Sequence, residues 1–249
     1  MRTVAFGLLG VGGVGSTLLH ILHDKIVQTD IAARAGVIFQ PQLLADRRGI
    51  LASPHGLDES RVRQSLEAKA AGGSVREVPG GQPASSLDDV CTALRDWDDL
   101  KGFILVDATA SDDTVPLLLQ VLDAGGCVVL ANKRPLTGEW GDFLRLTASR
   151  HCRFEATVGA GLPIIRTLQS LLDTGDRILS IQGCFSGTLA YICTALNRGE
   201  RYSDAVRAAM QAGYTEPDPR DDLGGIDVAR KALILCRMMG QSLELRDVQ

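Results

Sequence analysis

The sequence predicts an α/β fold, a doubly wound parallel sheet followed by a smaller α+β domain. Two observations carry the sheet. Through the first half, apolar runs of strand length alternate with segments of helical period, which is the pattern of βαβ units. A glycine-rich turn sits directly after the first of those runs. A third observation marks the second domain: beyond about residue 150 the alternation gives way to helices gathered around one further strand-length run. The boundary is set accordingly, with domains at 1–150 and 151–249.

Val4 to Leu9 reads as the buried first strand. After the glycines, Val14, Leu18, Leu19, Leu22 and Ile26 recur at helical spacing. Leu43 to Asp46 is a short second strand ending in an acid. Residues 47–90 are less regular: Leu57 to Ala71 suits a helix, and Gly72-Gly73 and Pro79-Gly80-Gly81 mark turns around a hairpin or loop. Strands return at Gly102 to Asp107 and Cys127 to Leu130, with helices at Val115 to Leu122 and Glu139 to Ser149. In the second half Phe154 to Val158 is extended, and Ile164 to Leu172 is a helix entered at Pro163. Ile178 to Phe185 is a strand, and helices follow at Thr188 to Asn197, Asp204 to Ala212 and Leu223 to Met239, the last closed by Gly240.

Composition excludes several functions. The 249 residues can bury one large core or two modest ones. A net charge of −4 lacks the basic excess of a nucleic-acid binder. Cys91, Cys127, Cys152, Cys184, Cys193 and Cys236 form no C-x-x-C pair and read as reduced, small hydrophobes rather than disulfides or a zinc site. No basic segment with an apolar stretch opens the chain, and no apolar run approaches the ~20 residues of a membrane span. A cytoplasmic chain without membrane or nucleic-acid partners is expected. His20, His23, His55 and His151 are surface or packing residues.

Gly10-Val11-Gly12-Gly13-Val14-Gly15 fits G-x-G-x-x-G between strand and helix, the fingerprint of a Rossmann-type dinucleotide site. The first glycine allows the tight turn, the second lets backbone approach a pyrophosphate, and the third lets helix and strand pack closely. A glycine-rich turn kept for packing alone is the other reading. Asp46, at the end of the second strand, stands where an acid grips the adenosine ribose of NAD. Arg47 and Arg48 follow at once and could hold the 2′-phosphate of NADP, so both cofactors stay open, as does a pair of solvated arginines.

Further along, Gly213-Tyr214-Thr215-Glu216-Pro217-Asp218-Pro219-Arg220-Asp221-Asp222-Leu223 packs carboxylates into a stretch stiffened by two prolines. Such a loop could capture a substrate ammonium group or a cation, or be an exposed turn with Asp222 near the N-cap of the next helix. On that helix Asp227 and Lys231 share a face. Among Ile226, Ala229, Leu233 and Ile234 they form a candidate acid/base pair, and the plain alternative is a surface ion pair.

Four strings together resemble homoserine dehydrogenases: Asn132 to Leu136, Glu155 to Pro163, Ser186 to Leu189, and Gly213 to Leu223 running on to Asp227–Lys231. The resemblance implies an NADP- or NAD-dependent oxidoreductase interconverting L-aspartate 4-semialdehyde and L-homoserine, dimeric through its substrate domain and serving threonine and methionine synthesis. Lys231 would protonate the carbonyl oxygen, Asp227 would orient that lysine or the substrate hydroxyl, and Lys133 near the nicotinamide could share the acid/base work. Glu216, Thr188, Tyr214 and Asp222 would hold the amino-acid end of the substrate. Thr109 and Ala110 would line the cofactor cleft. Glu155 with the backbone of Val158, Ala160 and Leu162 resembles the family's monovalent cation site, usually sodium, where the residues alone suggest a tight turn without an ion. On the same grounds the substrate domain is expected to be incomplete at Gln249, lacking on the order of one hundred further residues. On the same comparison neither a kinase domain before the nucleotide-binding unit nor a regulatory domain after it is expected. A truncated fragment or a non-catalytic nucleotide-binding paralogue is the alternative to an active enzyme.

Overall fold

The computed structural model describes residues 1–95, 97, 100–215 and 219–249. The chain forms two compact units, one of residues 1–135 with 141–154 and one of residues 136–140 with 155–249.

The first unit is built on strands β1 (Arg2–Leu9), β2 (Val37–Asp46), β3 (Gly49–Ala52), β4 (Gly81–Pro83), β5 (Ile104–Asp107), β6 (Cys127–Leu130) and β7 (Cys152–Arg153). They lie in the order β4-β3-β2-β1-β5-β6-β7. Strands β2, β1, β5, β6 and β7 run parallel, while β3 and β4 add an antiparallel edge. Between β1 and β5 the order reverses, and at that switch point the carboxyl ends of an open parallel sheet leave a crevice. The helices here are α1 (Gly13–His23), α2 (Lys25–Ala35), α3 (Glu59–Ala70), α4 (Leu87–Arg95), α5 (Val115–Asp123) and all but the first residue of α7 (Trp140–Ala148), while α6 (Arg134–Thr137) divides between the two units. Phe6, Leu8, Leu19, Leu44, Leu51 and Val62 are buried in one cluster that packs α1 and α3 on the sheet. The register of β1 on β2 shifts at Phe6/Gly7, opposite Pro41, which has no N–H to give the ladder.

Several local expectations are corrected. The first helix ends at His23, because the Asp24 side chain accepts from Ile26 N and Val27 N and starts α2. That second helix buries no residue, so no apolar stripe announced it. Of the hairpin or loop expected around the turns at 72–81, the loop forms: a 3-10 turn, Val75–Glu77, lies between them, and β4 pairs back on β3. Extended backbone near 154 lies earlier, in β7, while Glu155–Thr157 is a 3-10 turn.

The second unit contains α8 (Ile164–Asp173), α9 (Gly187–Asn197), α10 (Tyr202–Gln211), α11 (Pro219–Leu223) and α12 (Ile226–Met238). Ile192, Ala195, Ala205 and Ala209 are buried where α9 meets α10. The strand expected at 178–185 is not formed. A strand needs a neighbour for its N–H and C=O groups, and none of the described residues of this unit pairs with it; Leu179 is 85% exposed. The long last helix starts at Ile226 rather than Leu223, since Gly225 takes the left-handed conformation, φ 72°, which interrupts a helix. Among the described residues no helix is long and apolar enough to cross a membrane.

Arg237 on α12 is 1% exposed. Its Nε and Nη2 donate to Leu243 O (3.0 and 2.9 Å), Nη1 to Leu136 O (2.9 Å) and Nη2 to Glu244 Oε2 (3.1 Å). The guanidinium lies 5.8 Å from the Trp140 ring centroid. Burial pulls its pKa below the ordinary arginine value, against the opposing pull of Glu244 and Glu139. Removing the buried guanidinium leaves the Leu136 and Leu243 carbonyls without these donors, beside a Glu244 carboxylate that is 34% exposed, and each stranded buried acceptor costs about 1–3 kcal/mol. Arg237→Ala is therefore expected to cost about 3 kcal/mol, lowering the melting midpoint by roughly 6–12 °C for a chain of this size. Calorimetry checks this, and an unshifted midpoint would show that these bonds contribute no net stability.

Candidate functional site

In the first unit the glycine-rich turn leaves β1 at the switch point. Gly10 has φ 88°, and a Cβ there would lie 2.7 Å from Ala108 O. A Cβ on Gly15 would lie 2.0 Å from Gly10 O, so α1 enters as tightly as it does only because that residue is glycine. Gly12 and Gly13 differ: a Cβ on either meets nothing within 4 Å, which leaves open space in front of the first turn of α1. Backbone N–H groups without helical partners face outward there, the setting that suits a pyrophosphate. Val14 is 63% exposed beside them.

Asp46 closes β2, but its carboxylate turns to the protein. Oδ1 accepts from Arg48 N (2.9 Å) and Ser74 Oγ (2.8 Å), and Oδ2 from Lys69 Nζ (2.9 Å) and Val75 N (3.1 Å). Burial alone would raise its pKa, yet these bonds outweigh burial and hold it below the ordinary carboxylate value. Arg48 donates to Gly72 O (2.9 Å), whereas Arg47 projects exposed from the strand end. Sequence reading missed Lys69 and Ser74 because more than twenty positions separate them from Asp46.

Thr109, half-buried, and Ala110, exposed, follow β5; half-buried Lys133 follows β6. Both loops are gathered by the buried Asp107 carboxylate and by Asn132, to which sequence analysis gave no role.

In the second unit Lys231 Nζ lies 2.6 Å from Asp227 Oδ2 and donates to Phe185 O at 2.6 Å. The lysine side chain is 17% exposed and the aspartate 36%. This is a sheltered pair, not the solvated one of a helix surface. Phe185 precedes Ser186, whose hydroxyl accepts from Leu189 N (3.0 Å) and caps α9. On the next residues of this turn, the Thr188 hydroxyl donates to Tyr214 O and lies 3.3 Å from Asp222 Oδ1. One turn thus meets both Lys231, through Phe185, and the Tyr214/Asp222 group. The Tyr214 ring stacks at 5.1 Å, tilted, on Tyr191. Asp222 lies within α11 and is not the N-cap of α12, a position held by Gly225. Glu216 falls outside the described residues.

Glu155 accepts from Ile165 N (2.8 Å) and Arg166 N (2.9 Å), so its two oxygens cap α8. Val158 is buried, Ala160 adopts φ 51° and Leu162 is 64% exposed in the turn between. The carboxylate has a structural task without an ion. Among the described residues no cluster of three or more His, Cys, Asp or Glu could hold a metal. All six cysteines are free; burial pushes the Cys152 thiol up to about 12, which keeps it protonated and unreactive.

Likeness to known proteins extends over nearly the whole chain. Residues 163–249 match the profile of the family described as homoserine dehydrogenase. Bifunctional aspartokinase/homoserine dehydrogenase 1 of Zea mays, a chloroplastic protein, is 39% identical over 251 residues, covering 99% of this chain and 26% of the maize protein. The chain thus spans about a quarter of the length of that curated relative. A solved homoserine dehydrogenase from Thermoplasma acidophilum superimposes with a TM-score of 0.71 at 28% identity, covering 98% of this chain and 72% of that one. A hyperthermophilic archaeal homoserine dehydrogenase in complex with NADPH gives 0.75 at 25% identity, covering 99% and 75%. The sequence profile over residues 163–249, the overall sequence likeness and the fold all support the homoserine dehydrogenase family.

Proposed function

We propose that this chain binds NADP and catalyses the interconversion of L-aspartate 4-semialdehyde and L-homoserine. The observation that carries the reading is the sheltered Lys231–Asp227 pair fixed on the Phe185 carbonyl, one turn from Thr188. The open face at Gly12 and Gly13 suits a pyrophosphate, with Val14, Thr109, Ala110 and Lys133 as further cofactor contacts. The bound nicotinamide supplies or takes the hydride. Lys231 holds the proton for the aldehyde oxygen and stabilises the charge developing there; Asp227 keeps the ammonium aimed. Thr188, Tyr214, Asp222 and Glu216 bind the amino-acid end of the substrate, where a carboxylate suits its ammonium group.

Two features favour NADP over NAD. The Asp46 carboxylate already accepts four hydrogen bonds, which leaves it poorly suited to a ribose hydroxyl, and Arg47 stands free to meet a 2′-phosphate. Arg47→Ala is expected to weaken NADPH binding about tenfold or more and NADH binding less than twofold, roughly the worth of a charge-assisted hydrogen bond. Fluorescence titration with both nucleotides checks it; equal losses would take Arg47 off the phosphate.

Absorbance at 340 nm with homoserine and NADP tests the activity. Turnover, faster than with NAD, is the expected result. Nucleotide binding without turnover would replace this reading by a non-catalytic nucleotide-binding protein. We also infer a homodimer in a reducing, cytoplasmic compartment, on the strength of exposed Leu179 and Ile181 and of six free thiols. A light-scattering mass of one chain would remove the dimer.

A further inference from the structure

Asp107 is fully buried at the carboxyl end of β5 and takes no part in the chemistry above. Its Oδ1 accepts from Thr109 N (2.9 Å) and Thr109 Oγ1 (2.7 Å), and its Oδ2 from Thr114 Oγ1 (2.8 Å) and Asn132 Nδ2 (3.1 Å). Its main-chain oxygen accepts from Ala131 N (2.9 Å) and Asn132 N (3.1 Å). Asn132, 3% exposed, extends the same knot to Thr109 Oγ1 (3.2 Å) and Ser111 O (2.8 Å), and its Oδ1 accepts from Arg134 N (3.1 Å). A single acceptor-only group thereby ties the loop after β5 to the loop after β6. The first of these loops also abuts the glycine-rich turn, since a Cβ on Gly10 would lie 2.7 Å from Ala108 O and 3.0 Å from Thr109 N.

We propose that Asp107 is a positioning residue for the dinucleotide: through Thr109 and Asn132 it sets the two loops that border the cofactor crevice. The proposal rests on the reading that this unit binds NADP. An amide at position 107 keeps the shape but makes one oxygen position a donor, which would face either the Thr109 donors or those of Thr114 and Asn132. A buried mismatch of this kind moves the loops rather than persisting. Electrostatics alone would give the opposite sign, because removing a carboxylate near a pyrophosphate site would tighten binding.

The experiment is NADPH titration by fluorescence on the full chain, with circular dichroism and melting on each variant. Asp107→Asn and Asn132→Ala are each expected to raise the NADPH Kd about tenfold, a typical cost for misplaced binding groups. The double variant should be no worse than the weaker-binding single variant, since both act through one knot. Val62→Ala, in the buried face of α3, serves as a destabilised control and should bind within twofold of the unaltered chain. Folded Asp107→Asn that binds as well as or better than the unaltered chain overturns the proposal. Should that variant fail to fold, folded Asn132→Ala with an unchanged Kd overturns it equally. An unaltered chain that binds neither NADPH nor NADH would instead bring down the proposed function and this inference with it.

Discussion

Replacing Lys231 by alanine should lower kcat about a thousandfold while leaving the NADPH Kd within about twofold, within the span usual for a positioned acid/base group. The lysine is the cation of a half-buried pair, 2.6 Å from Asp227 Oδ2, and it also donates to the Phe185 carbonyl at 2.6 Å. Both partners are acceptors, so they aim the ammonium without supplying a competing proton. Alanine removes the proton source and the positive charge that an alkoxide needs, whereas the glycine-rich turn belongs to the other compact unit. The split between kcat and Kd separates this from general damage, which would weaken both. Asp227→Asn should be milder, about tenfold to a hundredfold in kcat, because the lysine keeps its carbonyl partner. Turnover by Lys231→Ala at more than a tenth of the original rate would take the lysine out of the acid role.

That lysine shows how far the sequence could be read. Spacing put Asp227 and Lys231 on one face of α12, and the pair is there. What it could not supply was the third member, because a backbone carbonyl carries no residue signature and Phe185 lies 46 positions away. Strands β1, β5, β6 and the end of β2 were legible as short apolar runs before turns, whereas β7, only Cys152–Arg153, and the first half of β2, broken by Gln40-Pro41-Gln42, were not. The antiparallel edge of β3 and β4 was not, because Gly81–Pro83 contains no apolar alternation. Residues 178–185 have the composition of a strand, yet a strand exists only with a neighbour, which composition does not encode. Asp46 stood where a ribose-binding acid belongs, and its diversion depends on Lys69 and Ser74, contacts that only the fold creates.

Two glycines of the same turn should fail in different ways. Gly15→Ala places a Cβ 2.0 Å from Gly10 O and 3.3 Å from Leu8 Cδ2. The first of these atoms is backbone, which no side-chain rotation can clear, so α1 must shift outward. Leu19, fully buried on α1, shifts with it. Overpacking a well-filled site costs about 1–3 kcal/mol and at times more, and a clash against main chain belongs at the upper end. The variant should melt well below the unaltered chain and lose NADPH binding as a consequence. Gly12→Ala meets nothing within 4 Å, and φ −93° with ψ −156° is open to any L-residue. Its stability should stay within about 0.5 kcal/mol, while NADPH affinity falls about a hundredfold, the scale of a blocked or displaced contact, because the new methyl group fills the space where backbone would approach the pyrophosphate. A turn kept only for packing predicts otherwise: Gly15→Ala would still unfold the unit, but Gly12→Ala would change neither stability nor binding. Unaltered NADPH affinity in Gly12→Ala would therefore move the pyrophosphate away from α1 and take the dinucleotide assignment with it.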